Sequence, residues 1–268
     1  MDILLPILII AAIGLLAGVL LAVAAHVFAV PTDEKVDAVR AVLPGANCGA
    51  CGYSGCDGYA KALVHEGAST GLCAPGGETV AAEIAGVMGV KADKVERSVA
   101  LVRCGGNHQH TQSKMIYSGA PTCRAANQLF AGPQQCAYGC LGFGDCAAAC
   151  PFDAIRVCDG LAVVIPALCK GCKTCVAACP KGLIAMVPVR EAAAVRCQNK
   201  DKGGQTRKIC SAGCIGCMRC VKACEFGAVM VQDFCAQVDP AKCTGCGKCV
   251  AECPQDCISL LFAPKSVR

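Results

Sequence analysis

Two stretches of this chain place four cysteines at a spacing that one type of metal cofactor demands. They are Cys169-x2-Cys172-x2-Cys175-x3-Cys179-Pro180 and Cys243-x2-Cys246-x2-Cys249-x3-Cys253-Pro254. Three thiolates two residues apart can wrap one face of a [4Fe–4S] cubane, with amides of the tight loop turned toward its sulfides. The fourth cysteine is directed away and serves the other cluster of a pair. It is expected to open a short helix, with the proline in the first turn, where no N–H is needed. Each run therefore requires a partner. Cys136-x3-Cys140-x5-Cys146-x3-Cys150-Pro151 precedes the first, and Cys214-x2-Cys217-x2-Cys220-x3-Cys224 precedes the second. Crossed ligation predicts one cluster on Cys136, Cys140, Cys146 and Cys179, and its neighbour on Cys169, Cys172, Cys175 and Cys150. It predicts a second pair on Cys214, Cys217, Cys220 and Cys253, and on Cys243, Cys246, Cys249 and Cys224. Two departures stand out: the widened spacing from Cys136 to Cys146, and Glu225 where a proline is expected.

Structural zinc is the competing occupant. It draws its four ligands as two pairs from separate knuckles, whereas runs of four that occur in pairs suit a cubane. A further stretch, Cys48-x2-Cys51-x4-Cys56-x16-Cys73, has four cysteines for one centre. Its spacing admits zinc or [4Fe–4S], and the company of four cubane sites favours [4Fe–4S]. Gly49, Gly52, Gly55 and Gly58 let the backbone approach the metal there. Seven cysteines remain. Cys158, Cys235 and Cys257 fall near strand segments and read as small buried apolar residues. Cys104, Cys123, Cys197 and Cys210 flank the first module and either are structural thiols or assemble a sixth cluster. His108 and His110 read as a polar surface loop, and His65 as solvated.

The elements that must position these ligands are small. The chain has 268 residues, 27 of them cysteine and none tryptophan; aromatics are 4%. Large side chains therefore cannot organise the core, and an odd number of cysteines argues against a closed disulfide framework. A hairpin is expected where 154–157 and 161–165 flank Asp159-Gly160, with further short strands at 227–231 and 258–262. Residues 36–43 form an amphipathic segment before the Pro44-Gly45 turn. Ile3 to Val30 contain no Lys, Arg, Asp or Glu. As a helix they would reach roughly 42 Å against a hydrocarbon core of about 30 Å. Gly14 and Gly18 start a small-residue stripe that lets another membrane helix approach. A cleaved signal peptide would carry a basic leading region, but no Lys or Arg occurs before Lys35. The expected fold is α+β: a single N-terminal transmembrane helix (1–30), a small four-cysteine Fe–S domain (31–90), a connecting segment (91–133), then tandem two-cluster modules of the bacterial ferredoxin type. The modules cover 134–190 and 210–268, with a linker at 191–209.

The order of parts resembles a known family. The span, then N-C-G-A-C-G-Y-S-G-C-D-G-Y-A (47–60), C-A-Y-G-C-L-G-F-G-D-C (136–146) and C-P-F-D-A-I (150–155), is similar to the RnfB-type component of the Rnf electron transport complex. V-R-C-Q-N-K-D-K-G (195–203) is similar to its longer form, with a second two-cluster module. The resemblance implies ferredoxin:NAD⁺ oxidoreduction coupled to Na⁺ or H⁺ translocation. This component would take electrons from reduced ferredoxin and pass them to membrane partners, while the flavin- and NADH-binding subunits lie elsewhere. No G-x-G-x-x-G after a strand and no P-loop occurs. No complete active site is expected on this chain.

The expected chemistry is thus one-electron relay over five [4Fe–4S] clusters, with a sixth open. The rival readings are a membrane-tethered polyferredoxin that serves another reductase without ion pumping, and a nonredox metal scaffold. Reduced, metal-loaded thiols place the cluster domains on the cytoplasmic side of a prokaryotic plasma membrane, with a single pass. The span has no acidic residue to bind a transported ion. Lys200, Lys202, Arg207 and Lys208 either dock an acidic ferredoxin or form an ordinary solvated loop. The formal charge of +5 falls to roughly −5 once five clusters at about −2 each are counted, and no nucleic-acid partner is expected.

Overall fold

The computed structural model describes residues 4–27, 33–190 and 192–262. Helix α1 (Leu4–Val27) opens the chain. At 1.5 Å per residue it is about 36 Å long, enough to cross a bilayer core. Its window Ile7–Ala24 has a mean hydropathy of 3.0 and is left unburied by the described residues. Gly14 and Gly18 have no neighbour within 4 Å of an added Cβ. Residues 1–3 and 28–30 of the expected span lie outside the described residues.

Helices α2 (Glu34–Val42), α3 (Cys56–Glu66) and α4 (Gly77–Met88) enclose a small core. Val39 and Leu43 lie one turn apart on one face, as do Tyr59 and Leu63, and they meet Ile84. Asp33 caps α2 by accepting from the Lys35 amide, and Gly67 ends α3 in the left-handed conformation. The turn Thr70–Leu72 is tied down by Asp93, whose carboxylate accepts from Ser69 Oγ (2.8 Å), Thr70 N (3.0 Å) and Thr70 Oγ1 (3.2 Å). These bonds hold the Asp93 carboxyl below its ordinary value. Because the folded value is depressed, this stabilisation is present above the unfolded carboxylate range, about pH 4, and is lost as pH falls through the lower folded value. Asp93→Ala is expected to lower hydrogen-exchange protection of the Thr70 amide at neutral pH; equal protection in wild type and variant would refute the tie.

The remaining chain folds twice into the same pattern. The first unit has β1 (Ser98–Val102), α5 (Cys123–Gln128), α6 (Asp145–Ala148), β2 (Ile155–Cys158), β3 (Leu161–Val164), α7 (Thr174–Ala178) and β4 (Ile184–Pro188). The second has β5 (Ala192–Val195), α8 (Gly203–Ile209), α9 (Arg219–Lys222), β6 (Val229–Gln232), β7 (Cys235–Val238), α10 (Lys248–Ala251) and β8 (Ile258–Leu261). Antiparallel β1–β4 places Val102 opposite Ile184, and β5–β8 places Val195 opposite Ile258. Hairpins β2–β3 and β6–β7 turn through two residues, Asp159-Gly160 and Asp233-Phe234, all with positive φ. That is the twist a two-residue hairpin requires.

Two expectations change here. The stretches read as connector and linker supply β1 and β5, because each module needs a long-range partner for its last strand. The short helices α6, α7, α9 and α10 lie before the fourth cysteine of each run, and Cys179 itself caps α7. The fourth cysteine therefore closes a helix rather than opening one, and the proline after it stops the chain from continuing helically.

Candidate metal centres

Six groups of four cysteines come together. In the small N-terminal domain Cys73 is surrounded by Cys56, Cys48 and Cys51; burial, then those neighbours, pushes its thiol up. Asn47, at φ 45°, turns its side chain back to accept from the Cys56 amide at 2.9 Å. An added Cβ on Gly55 would sit 3.0 Å from that same Oδ1.

In the modules the crossed arrangement emerges from the strand pairing. Cys150 lies with Cys169, Cys172 and Cys175 around one cavity. Cys253 lies with Cys214, Cys217 and Cys220 around another. Cys249 stands among Cys243, Cys246 and Cys224; burial and then those neighbours raise its thiol. Amides in the strands or just before them point at the sulfurs. Ala100 N donates to Cys169 Sγ (3.4 Å), Ala154 N to Cys150 Sγ (3.4 Å), Ala193 N to Cys243 Sγ (3.3 Å) and Ala228 N to Cys224 Sγ (3.3 Å). Each module thus repeats the same two amide contacts.

The remaining site of the first module differs from the expected set. Its cavity is lined by Cys140, Cys146, Cys179 and Cys123, not Cys136. The two modules explain why. Cys140, Cys146 and Cys150 match Cys214, Cys220 and Cys224 in spacing, but Phe143 stands where the second module has Cys217. The missing thiol arrives from α5. Asp145, the first residue of α6, accepts from both Cys123 N (2.8 Å) and Arg124 N (3.0 Å). Phe143 meets Tyr117 edge-on at 5.4 Å, which closes the same small apolar cluster around Cys123.

Cys136 instead lines a cavity with Cys104, Cys197 and Cys210, at whose edge Cys140 also lies. The four cavities each hold about 310–400 Å³ of empty space, mouths included. Of the last three cysteines, Cys235 and Cys257 are buried as expected, while Cys158 is exposed at the end of β2, where the hairpin reaches the Asp159-Gly160 turn. His110 Nδ1 meets Ser211 Oγ at 2.8 Å, and His108 lies 3.7 Å from Asp159; both histidines serve the loop surface.

Electrostatics make the groups demanding. Burial pushes Cys104, Cys136, Cys175 and Cys220 up to about 11 and Cys146 up to about 12, and neighbouring sulfurs add to it in each case. Such thiols do not ionise together at neutral pH unless a cationic core displaces their protons. Among the described residues no group of three or more His, Cys, Asp or Glu is placed to hold a single metal ion. A zinc site needs all its thiolates about 2.3 Å from one atom. Thiols spread around a cavity, with amides aimed at them, fit a multi-iron cluster.

This combination of an apolar N-terminal helix, a four-cysteine domain and tandem crossed modules defines a membrane-associated multicluster iron–sulfur protein. Residues 43–75 match the Fe-S cluster family model, and residues 168–228 and 213–257 match that of the 4Fe-4S dicluster domain. The chain is 45% identical over 258 residues to the B component of the Na⁺-translocating ferredoxin:NAD⁺ oxidoreductase complex of Acetobacterium woodii, covering 96% of this chain and 78% of the relative. It is 42% identical over 253 residues to the B component of the ion-translocating oxidoreductase complex of Methanosarcina acetivorans, covering 94% and 96%. The B component of the proton-translocating ferredoxin:NAD⁺ oxidoreductase complex of Clostridium ljungdahlii is 42% identical over 229 residues, covering 85% and 81%. The chain belongs to the RnfB family, the B components of the ion-translocating (Rnf) oxidoreductase complexes.

Proposed function

We propose that this chain relays single electrons from reduced ferredoxin toward membrane and NAD-reducing partner subunits, within a complex that moves Na⁺ or H⁺ through its other subunits. The carrying observation is the set of cavities lined by four or five cysteines, with amides directed at their sulfurs. Five clusters are assigned to Cys48, Cys51, Cys56 and Cys73; to Cys123, Cys140, Cys146 and Cys179; to Cys150, Cys169, Cys172 and Cys175; to Cys214, Cys217, Cys220 and Cys253; and to Cys224, Cys243, Cys246 and Cys249. When bound, each cluster supplies reversible one-electron storage, its core passing between 2+ and 1+. The chain's part is to hold the thiolates, to aim amide dipoles at them, and to shield most of them from water, Cys217 and Cys246 being exposed. Helix α1 anchors the modules in the bilayer, and the requirement for reduced thiols puts them on the cytoplasmic side.

Electron entry is assigned to the surface around α8, where Lys202, Arg207 and Lys208 are exposed; Lys200 is engaged with Asp233 at 3.3 Å. A net-acidic ferredoxin would be steered there. Reversing these three charges to Glu is expected to slow ferredoxin oxidation by the anaerobic holoprotein about tenfold or more at low salt. The difference should fade in high salt as screening shortens the Debye length. An unchanged low-salt rate removes this docking surface. The wider reading is tested by iron and acid-labile sulfide analysis with EPR after dithionite; zinc without sulfide overturns it. Ferredoxin-driven ion uptake into vesicles that carry the whole complex separates a component of a pump from an uncoupled polyferredoxin.

A further inference from the structure

We infer that Cys104, Cys136, Cys197 and Cys210 hold a sixth [4Fe–4S] cluster, set between the two modules; this rests on the reading that the other quartets bind clusters. The tripeptide Val-Arg-Cys occurs twice, at 102–104 and 195–197. Val102 and Val195 end equivalent strands, each opposite an isoleucine of the module's last strand. Cys104 and Cys197 therefore leave their modules at matching positions, and the structure brings both to one cavity. The other two sulfurs come from the loop before Cys140 and from the end of α8. All four are buried, at 8%, 7%, 8% and 7% exposure for Cys104, Cys136, Cys197 and Cys210.

The cavity is built for anionic sulfur. Asn199, only 1% exposed, donates its amide to Cys197 Sγ (3.4 Å) and its side-chain Nδ2 to Cys136 Sγ (3.8 Å). The Cys140 amide donates to Cys104 Sγ at 3.5 Å. Arg196 lines the same cavity, and its buried Nε has no hydrogen-bond partner among the described residues. A cluster with four thiolates, near −2, would offset that buried cation. Gly106 leaves room: an added Cβ would lie 3.1 Å from Cys210 Sγ and 3.8 Å from Cys104 Sγ. Thr111 pins the far wall, bridging to Cys210 and donating through Oγ1 to Ile209 O at 3.0 Å.

Position gives the cluster a role. On one side the site shares the Cys104–Cys140 contact with a ligand position of the first module. On the other, the Cys235 thiol lies against Cys197, donating to its carbonyl at 3.3 Å, and the next residue, Ala236, donates its amide to Cys214 Sγ of the second module at 3.4 Å. A one-electron carrier here joins the modules into a continuous relay. The electron enters from the reduced cluster of one module and leaves to the oxidised cluster of the other, with no bond made or broken.

The test is native mass spectrometry of the full-length holoprotein purified anaerobically, with iron and sulfide counted in parallel. Six clusters give about 24 iron and about 24 sulfide per chain. Cys104→Ala and Cys210→Ala, on different segments, should each lose about four of both, while Cys158→Ala, at an exposed thiol outside the quartets, loses none. A fully loaded wild type with about 20 iron, or with about 20 iron and one zinc, overturns the sixth cluster and leaves the relay reading standing. Absence of sulfide overturns the relay reading itself. The wild-type count decides even where a variant fails to fold.

Discussion

Cys123→Ala and Cys179→Ala are expected to remove the same cluster, although the two residues lie in different segments and only one belongs to a regular run. Each variant should lose about four iron and four sulfide and the same component of the EPR redox titration. Cys136→Ala should spare that component and remove the one assigned to the cavity shared with Cys104, Cys197 and Cys210. The physical argument is the placement of α5. Thr122 caps the helix by accepting from Ala125 N at 3.2 Å, and Asp145 takes up the amides of Cys123 and Arg124. Both interactions hold Cys123 at the mouth of the Cys140, Cys146 and Cys179 cavity. Alanine supplies no donor atom, so a three-thiolate site remains, which loses its cluster or degrades it. Should Cys136→Ala and Cys179→Ala silence one common component while Cys123→Ala keeps every cluster, the exchanged assignment is wrong.

That exchange shows how far the residue pattern reaches. The regular runs and their crossing are local facts. Spacing of two and three residues fixes which thiols face one cavity and which faces the next, so Cys150 with Cys169–Cys175 and Cys253 with Cys214–Cys220 follow from the sequence. The hairpin at Asp159-Gly160 was equally legible, because its turn residues carry the conformational requirement. Cys123 was not, since its approach to Cys146 depends on a helix cap supplied 22 residues later. A signal did exist. Aligning the two modules on Cys140 and Cys214 leaves Phe143 opposite Cys217, a vacant ligand position inside a run of otherwise matching spacing. The same alignment exposes the doubled Val-Arg-Cys and so marks Cys104 and Cys197 as equivalent. β1 and β5 stayed hidden for a different reason: their partners β4 and β8 lie far along the chain, and strand pairing at that separation is set by tertiary packing rather than local preference. The exposed Cys158 shows the limit of composition, because only Ile155 of β2 is buried and Cys158 ends the strand beside the turn.

Gly142→Ala should have the largest effect on the fold of the first module. Gly142 has φ +75°, a conformation that costs a non-glycine residue about 1 kcal/mol. An added Cβ would also lie 2.5 Å from the carbonyl oxygen of Gly160, and 2.9 Å from its Cα and carbonyl carbon. That neighbour is backbone in the tight β2–β3 turn and cannot rotate away, so the ligand loop and the hairpin must separate. Overpacking of this kind adds about 1–3 kcal/mol, out of a typical domain total of about 5–15 kcal/mol. The same residue serves the metal centre, because it lies two positions after Cys140 in the ligand loop. Pushing the loop outward therefore shifts Cys140 relative to the other three cysteines of its cavity. Gly182→Ala is the matched comparison: φ is +59°, but nothing lies within 4 Å of its added Cβ, so only backbone strain of about 1 kcal/mol applies. In anaerobic guanidinium, cluster bleaching of the holoprotein should begin at clearly lower denaturant for Gly142→Ala than for Gly182→Ala, with wild type above both. Equal midpoints for the two variants would mean that the loop yields freely at Gly160, and that the hairpin does not hold Cys140 in place.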